Sequence, residues 1–202
     1  MSSTIDPEAV PGKVCSGFPS RLVKNKELER FRENALETRN SSRGNAKGVR
    51  RIMRKVTVAA TQMACVWDEK DNVARAERLV REAKARGADL VLIQELFAAP
   101  YFCQDQFHGF FDLARPFADN PLIAHFSGLA RELGMVLPVS YVERAGQSYF
   151  NSLAVIDADG TVLGNYRKSH LPDGPGYTEK FYFSPGDTGY RITFCPQLCV
   201  IR

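Results

Sequence analysis

The stretch NYRKSHLPDGPGYTEKFYFSPGD, residues 165–187, decides what fold and function are expected of this chain. It begins in a β-type run, Gly160 to Tyr166, passes through a turn dense in proline and glycine, and ends in aromatic residues. Proline and glycine constrain the backbone of such a turn heavily. A rigid loop between Lys168 and Glu179 is a way to hold an ammonium beside a carboxylate. The alternative is a rigid loop that carries only a surface ion pair.

Three pieces of this stretch, Tyr166 to Tyr177, Glu179 to Phe183 and Pro185 to Asp187, resemble the lysine segment of the nitrilase (carbon–nitrogen hydrolase) superfamily. The resemblance runs from near Val56 to about Arg191, so it covers most of the chain but neither end. It implies an α/β fold, the superfamily's α-β-β-α sandwich, of which this chain supplies the N-terminal part only.

The resemblance also implies hydrolysis of a non-peptide C–N bond by a Glu–Lys–Cys set. The branch that the chain resembles acts on a small carbamoyl amine in polyamine synthesis and releases carbon dioxide and ammonia. An amidase of the same superfamily that acts on another amide or carbamoyl substrate is the alternative. No cofactor and no metal are expected, because thiol-based hydrolysis requires neither.

Three residues match the family's functional positions. Glu95 matches the general base, Lys168 the lysine that stabilises the tetrahedral oxyanion, and Glu179 a second glutamate that orients the lysine or the base. From position alone, Glu95 ends a predicted buried strand, residues 88–95, where open α/β sheets place their sites. A carboxylate there is either paired or has a raised pKa, and both states suit a base. Alternatively, the glutamate only reaches out to solvent.

The nucleophilic cysteine of the family is absent from this sequence. In the family it ends a strand within a glycine-rich Cys-Trp pattern, and neither Cys195 nor Cys199 stands in such a pattern. A metal site built on these two cysteines is only weakly indicated, because the sequence offers no second pair of ligands. Residues 194–202 are therefore interpreted as an aberrant tail from a shifted reading frame or an early stop. We expect the chain to be truncated and nearly inactive, and a non-catalytic fragment that binds a partner is the alternative.

Charge divides the chain into two parts. Residues 1–55 carry 13 Lys/Arg against 6 Asp/Glu, and the remainder carries 14 against 17. Residues 1–53 are predicted to be a basic, disordered extension, with the hydrolase domain at 54–193 and a native start at Met53. Nucleic-acid binding is not expected, because the basic cluster lacks the aromatic or glycine pattern of an RNA-binding module.

The composition, 44% hydrophobic and 25% charged, is that of an ordinary globular domain. No apolar run reaches the roughly 18 residues of a membrane helix, so no membrane partner is expected. Five cysteines at irregular spacing favour a reducing cytoplasm over a disulfide framework. The resemblance implies a homo-oligomer, although members of the family assemble through elements that this chain is expected to lack.

Hydrophobic periodicity predicts alternating strands and helices. A helix is expected after Asp71 and Asn72, with an apolar stripe that ends before Gly87, and a second over Pro121 to Leu133, stopped by Gly134. Glu143 to Ser148 is predicted to be a polar turn. The predicted strands are residues 56–62, 88–95, 135–142, 149–156 and 161–167. The groups predicted to pack or line a pocket rather than catalyse are Tyr101, Phe102, Cys103, Phe107 and His108. His125 is predicted to have a packing or surface role on the second helix.

Overall fold

The computed structural model describes residues 55–189 and the backbone of residues 21–23, and it has the predicted α/β architecture. Its strands are β1 (Arg21–Val23), β2 (Val58–Gln62), β3 (Leu90–Leu92), β4 (Leu137–Ala145), β5 (Ser148–Ile156), β6 (Val162–Arg167), β7 (Asp173–Gly174) and β8 (Tyr177–Thr178). Its helices are α1 (Glu69–Ala85), α2 (Pro121–Leu133) and α3 (Glu179–Tyr182), with 3-10 turns at Phe102–Gln104 and His108–Leu113. The predictions for residues 194–202, and for residues 1–53 apart from β1, lie outside the described residues.

Strands β1 to β6 form a mixed sheet, and β7 and β8 pair antiparallel with each other. β2 pairs parallel with β3, and β4, β5 and β6 form an antiparallel meander. A parallel bridge between Leu90 and Val136 joins the two groups of strands. β1 adds antiparallel to β2, a pairing that the composition of the N-terminal arm did not indicate.

Helices α1 and α2 cover one face of this sheet, because their apolar stripes share one core with alternate strand residues. Val91 and Ile93 are buried in that core, together with Leu137 and Val139. Leu92 points to the opposite face, since successive strand side chains alternate, and it is 45% exposed. The prediction of a buried strand over residues 88–95 is therefore wrong at Leu92, within the described residues.

The ends of the two long helices follow local capping chemistry. Asn120 caps α2 by accepting hydrogen bonds from Leu122 N and Ile123 N, and Gly134 ends it in the left-handed region at φ 59°, as predicted. The predicted start of α1 is wrong, because Asp68 is the cap and the helix begins at Glu69. Asn72 lies inside the helix, where its buried side chain bonds Val66 and Ala98 instead.

Two further boundaries differ from the predictions. β3 is only three residues long, so Glu95 lies three residues beyond the strand rather than at its end. Glu143 lies in β4 and not in a turn, because the turn between β4 and β5 consists of Gly146 and Gln147 alone. Its carboxylate is 2% exposed and is held by Arg167, which local sequence cannot reveal.

Candidate active site

Lys168, Glu95 and Glu179 meet on the sheet face that the helices leave uncovered. Lys168 directly follows β6, and Glu179 is the first residue of α3. The Lys168 Nζ atom donates to Glu95 Oε1 at 2.8 Å and to Glu179 Oε2 and Oε1 at 2.9 and 3.1 Å. The structure thus brings all three predicted site residues together, and their catalytic roles stay predictions.

The three side chains differ sharply in burial. The Glu179 side chain is 3% exposed, Lys168 is 28% exposed and Glu95 is 50% exposed. Burial acts to lower the pKa of Lys168, but its hydrogen bonds to Glu95 and Glu179 outweigh burial and raise that pKa above its usual value. Lys168 is therefore an ammonium at neutral pH, and one cation serves two carboxylates.

The backbone around Glu95 is fixed on both sides. Gln94 Oε1 accepts a 2.6 Å hydrogen bond from Met63 N, and Leu96 N donates to Ser140 Oγ at 3.0 Å. Leu96 adopts a positive φ of 51°, a region that a leucine rarely visits. Such strained positions cluster at functional sites, and here the turn aims Glu95 toward Lys168.

The backbone of Lys168 is held by two neighbours. Its N–H donates to Asn151 O at 2.8 Å, and its carbonyl accepts from Gly186 N at 2.9 Å. A Cβ at Gly186 would lie 2.0 Å from Arg167 O, so only glycine allows this approach. The Pro185-Gly186-Asp187 piece of the family pattern thus packs directly against the lysine.

Two residues of the site escaped the sequence analysis. Asn151 Nδ2 donates to Glu95 Oε1 at 2.6 Å and lies 3.5 Å from Glu179 Oε2. Tyr101 OH donates to Glu179 Oε1 at 2.9 Å, and burial together with this bond raises the Tyr101 pKa. The available signal for Asn151 is an amide within the mostly apolar run 149–156. Tyr101 gives no comparable signal, because an aromatic residue beside Phe102 and near Phe107 is typical of a pocket wall.

A second ion cluster occupies the other face of the strand end. Arg167 donates to Glu143 through Nη2 at 2.6 Å and Nε at 3.0 Å, and to Asp187 through Nη1 at 2.9 and 3.1 Å. Ser152 and Asn165 also donate to Glu143. Burial acts to raise the pKa of Glu143, but these hydrogen bonds outweigh it and lower that pKa.

The two described cysteines lack the features of a nucleophile. Cys65 accepts a hydrogen bond from Gln94 Nε2 at 3.2 Å, and burial raises its pKa. Cys103 is fully buried, and burial and the charges of Glu179 and Glu95 raise its pKa as well. A reactive thiol needs a lowered pKa instead. Cys15, Cys195 and Cys199 lie outside the described residues.

A cleft of about 270 Å³ opens beside Glu95 and Lys168. Its walls are mostly apolar, with Leu92, Leu153 and Tyr166 among them, and its polar end holds Glu95, Asn151 and Lys168. Across the described part of the chain, no three His, Cys, Asp or Glu side chains are grouped to hold a metal ion. In the same residues, no helix has the length and apolar character needed to cross a membrane.

Comparison with known proteins places this geometry in a family context. Residues 57–200 match the family described as carbon-nitrogen hydrolase. The chain is 59% identical over 139 residues to N-carbamoylputrescine amidase of Arabidopsis thaliana, covering 69% of this chain and 46% of that protein. It is 41% identical over 140 residues to citrullinase of Francisella tularensis, covering 69% of this chain and 49% of that protein. The chain spans about half the length of the curated relatives that it matches.

Solved structures agree on the fold. The crystal structure of a carbon-nitrogen hydrolase from Helicobacter pylori G27 matches with a TM-score of 0.62 at 39% identity, over 66% of this chain and 46% of that one. Nit3 of Saccharomyces cerevisiae, a member of the nitrilase superfamily, matches with a TM-score of 0.54 over 67% of this chain and 50% of that one. At 23% identity the second match bears on the fold alone. The predicted nitrilase-like fold, present in part, is confirmed.

Proposed function

Because this chain belongs to the carbon–nitrogen hydrolase family, we propose that its residues build part of the active site of an N-carbamoylputrescine amidase. The observation that carries the proposal is the placement of Lys168 Nζ within 3.1 Å of both Glu95 and Glu179, at the polar end of a cleft. Identity of 59% to the Arabidopsis thaliana amidase supports this substrate over other amides.

The three residues divide the work according to their surroundings. Glu95 is half-exposed, so it can receive and return a proton at the cleft. Lys168 is a fixed ammonium that favours the negative charge developing on the carbamoyl oxygen. Glu179 is buried and holds Lys168 in place.

The reaction proceeds in two steps. A cysteine sulfur bonds to the carbamoyl carbon, its proton passes to Glu95, and ammonia leaves with that proton. Water activated by the same carboxylate then breaks the carbon–sulfur bond, and the resulting carbamic acid separates into putrescine and carbon dioxide. Neither described cysteine suits the first step, and neither Cys195 nor Cys199 stands in the family's Cys-Trp pattern. We therefore expect the 202-residue chain alone to release little or no ammonia.

Citrulline is the second candidate substrate, because the chain is 41% identical to a citrullinase. Citrulline and N-carbamoylputrescine share a terminal ureido group, which is the part that Glu95 and Lys168 would act on. They differ at the far end, where N-carbamoylputrescine carries an amine alone and citrulline carries an amine and a carboxylate. Discrimination therefore rests on residues away from the reacting carbon.

The test is a chimera in which residues 57–189 replace the matching segment of the Arabidopsis thaliana amidase. Ammonia release is measured from N-carbamoylputrescine and from citrulline, with the parent amidase as the reference and the 202-residue chain assayed beside them. We expect kcat/KM of the chimera on N-carbamoylputrescine to stay within about tenfold of the parent, and activity on citrulline to be far lower.

Each assay result has a distinct meaning. A folded chimera that releases no ammonia from either compound overturns the proposal. Release from citrulline alone overturns the substrate but retains the chemistry. Turnover by the 202-residue chain that is abolished by Cys199→Ala would contradict the expected inactivity of that chain.

A further inference from the structure

We propose that Asn151 is a positioning residue that holds Glu95 against Lys168 and ties both to Glu179. The inference rests on the proposed function for its catalytic meaning, but the geometry stands independently of any substrate. Asn151 contacts all three residues of the site, the two carboxylates through its side-chain amide and the backbone N–H of Lys168 through its carbonyl.

The contacts of Glu95 indicate why its side chain needs a positioning residue. Glu95 Oε1 receives both Asn151 Nδ2 at 2.6 Å and Lys168 Nζ at 2.8 Å. Glu179 is buried and also receives Tyr101 OH, so its position is fixed by several partners. Glu95 is 50% exposed, and among the described residues the loss of the amide would leave Lys168 alone to restrain its flexible side chain.

The position of Asn151 suits this role. It lies in β5, between β4 and β6, and pairs with Val142 of β4. Asn151 is only 4% exposed, so its rotamer is set by packing rather than by solvent. A rigid central strand therefore delivers the amide to the two carboxylates, as a positioning group requires.

An amide is the right chemistry at this point. Its N–H₂ donates to carboxylates without adding charge to a site that already holds two anions and one cation. An aspartate would have nearly the same shape but would bring a third anion and no donor. Asn151→Ala and Asn151→Asp therefore disturb the site in opposite electrostatic directions.

The first test measures the reactivity of Lys168 in the 202-residue chain. Trace acetylation at fixed pH, with peptide mass spectrometry, reports the fraction of free amine at each lysine, and exposed Lys70 serves as the internal reference. Asn151→Ala releases the Glu95 carboxylate from Lys168. The pKa of Lys168 then falls, so we expect the relative labelling of Lys168 to rise about tenfold. Asn151→Asp adds an anion, so we expect labelling to fall below that of the unmodified chain.

A matched control uses the other ion cluster. Asn165→Ala removes an amide that donates to Glu143 at 2.8 Å, in the adjacent strand β6, without touching Glu95 or Glu179. It is expected to leave the relative labelling of Lys168 unchanged. Shifts in the same direction for Asn151→Ala and Asn151→Asp, or labelling of Lys168 as fast as Lys70 before any substitution, overturn the proposal.

A second test uses the chimera and separates binding from chemistry. A misplaced base costs up to about 100-fold in rate, so Asn151→Ala should lower kcat by roughly that factor with little change in KM. A rise in KM at unchanged kcat would overturn the positioning role. If the unsubstituted chimera releases no ammonia, the proposed function fails while the labelling result still decides whether Asn151 positions Glu95.

Discussion

Arg167 and Lys168 are neighbours in the chain, yet they hold two different ion clusters on opposite faces of one strand end. Each cation contacts one buried and one exposed carboxylate, Glu143 and Asp187 for the arginine and Glu179 and Glu95 for the lysine. Each cluster holds two carboxylates, so the comparison isolates the kind of cation and its access to the cleft.

The arginine cluster does not border the cleft, whose lining includes neither Arg167 nor its two carboxylates. Its planar guanidinium donates in a fixed fork to both carboxylates and lies 4.0 Å from the Phe150 ring centroid. The lysine cluster borders the cleft, and its ammonium is a compact point charge with rotatable donors. The difference teaches that paired charges can stabilise a strand end when no cleft adjoins them, and become available for chemistry when the cation and one carboxylate line a cleft.

The largest effect is expected from removing the lysine charge. Lys168→Gln in the chimera should lower kcat for N-carbamoylputrescine by about 10³-fold or more, because the oxyanion loses its principal donor. Steady-state ammonia release measures this loss. Arg167→Gln is the matched change on the other face, and an equal loss of kcat there would remove the distinction between the clusters.

The next effect concerns stability rather than rate. Arg167→Gln in the 202-residue chain leaves the Glu143 carboxylate, 2% exposed, without its cation. Removing one partner of a buried pair costs about 3–5 kcal/mol, and the remaining bonds from Ser152 and Asn165 place the expected loss near the lower end. Urea unfolding measures it. A loss below about 1 kcal/mol would show that the arginine cluster contributes no more than a surface pair.

The same cluster predicts a pH dependence with a definite sign. The pKa of Glu143 is lowered in the folded chain, so its ionisation stabilises the fold above the ordinary value of 4.5. That contribution is lost as the pH falls below 4.5 and through the lowered pKa. The stability difference between the unmodified chain and Glu143→Gln should therefore shrink between pH 6 and pH 3, and a constant difference would contradict this assignment.

The smallest effect is expected at the hydroxyl that supports Glu179. Tyr101→Phe removes a 2.9 Å hydrogen bond to a buried carboxylate, which should cost about 1.5–3 kcal/mol in unfolding free energy. Tyr166→Phe is the control, because within residues 55–189 the Tyr166 hydroxyl makes only long contacts of 3.4 Å with Ser169. Equal losses for the two variants would mean that Glu179 does not depend on Tyr101.

Features written into local sequence were predictable. Pro121 to Leu133 forms the expected helix because its apolar stripe, its proline in the first turn and Gly134 at its end all agree. The placement of Lys168 directly after a strand also follows from local pattern. The meeting of Lys168 with Glu95 does not, because 73 residues separate them and only the resemblance related the two.

Contacts between distant residues explain what the sequence did not reveal. Glu143 stands in a polar run that is typical of a turn, yet Arg167, 24 residues later, allows its burial within β4. Asn151 is one amide in an apolar strand, and its carboxylate partners lie 56 and 28 residues away. Asn72 has the residue type of a helix cap, but its side chain donates hydrogen bonds to the carbonyls of Val66 and Ala98. In each case a tertiary partner overrides the local preference.

The most direct measurement compares Glu95→Gln with Glu143→Gln in the chimera, assayed side by side for ammonia release from N-carbamoylputrescine. Both changes remove one carboxylate from a cation at the same strand end. If Glu95, Lys168 and Glu179 are the catalytic set, Glu95→Gln abolishes turnover in a folded protein, whereas Glu143→Gln keeps kcat within a few-fold and loses stability. Retained turnover in Glu95→Gln, or equal loss in both variants, would contradict the assignment.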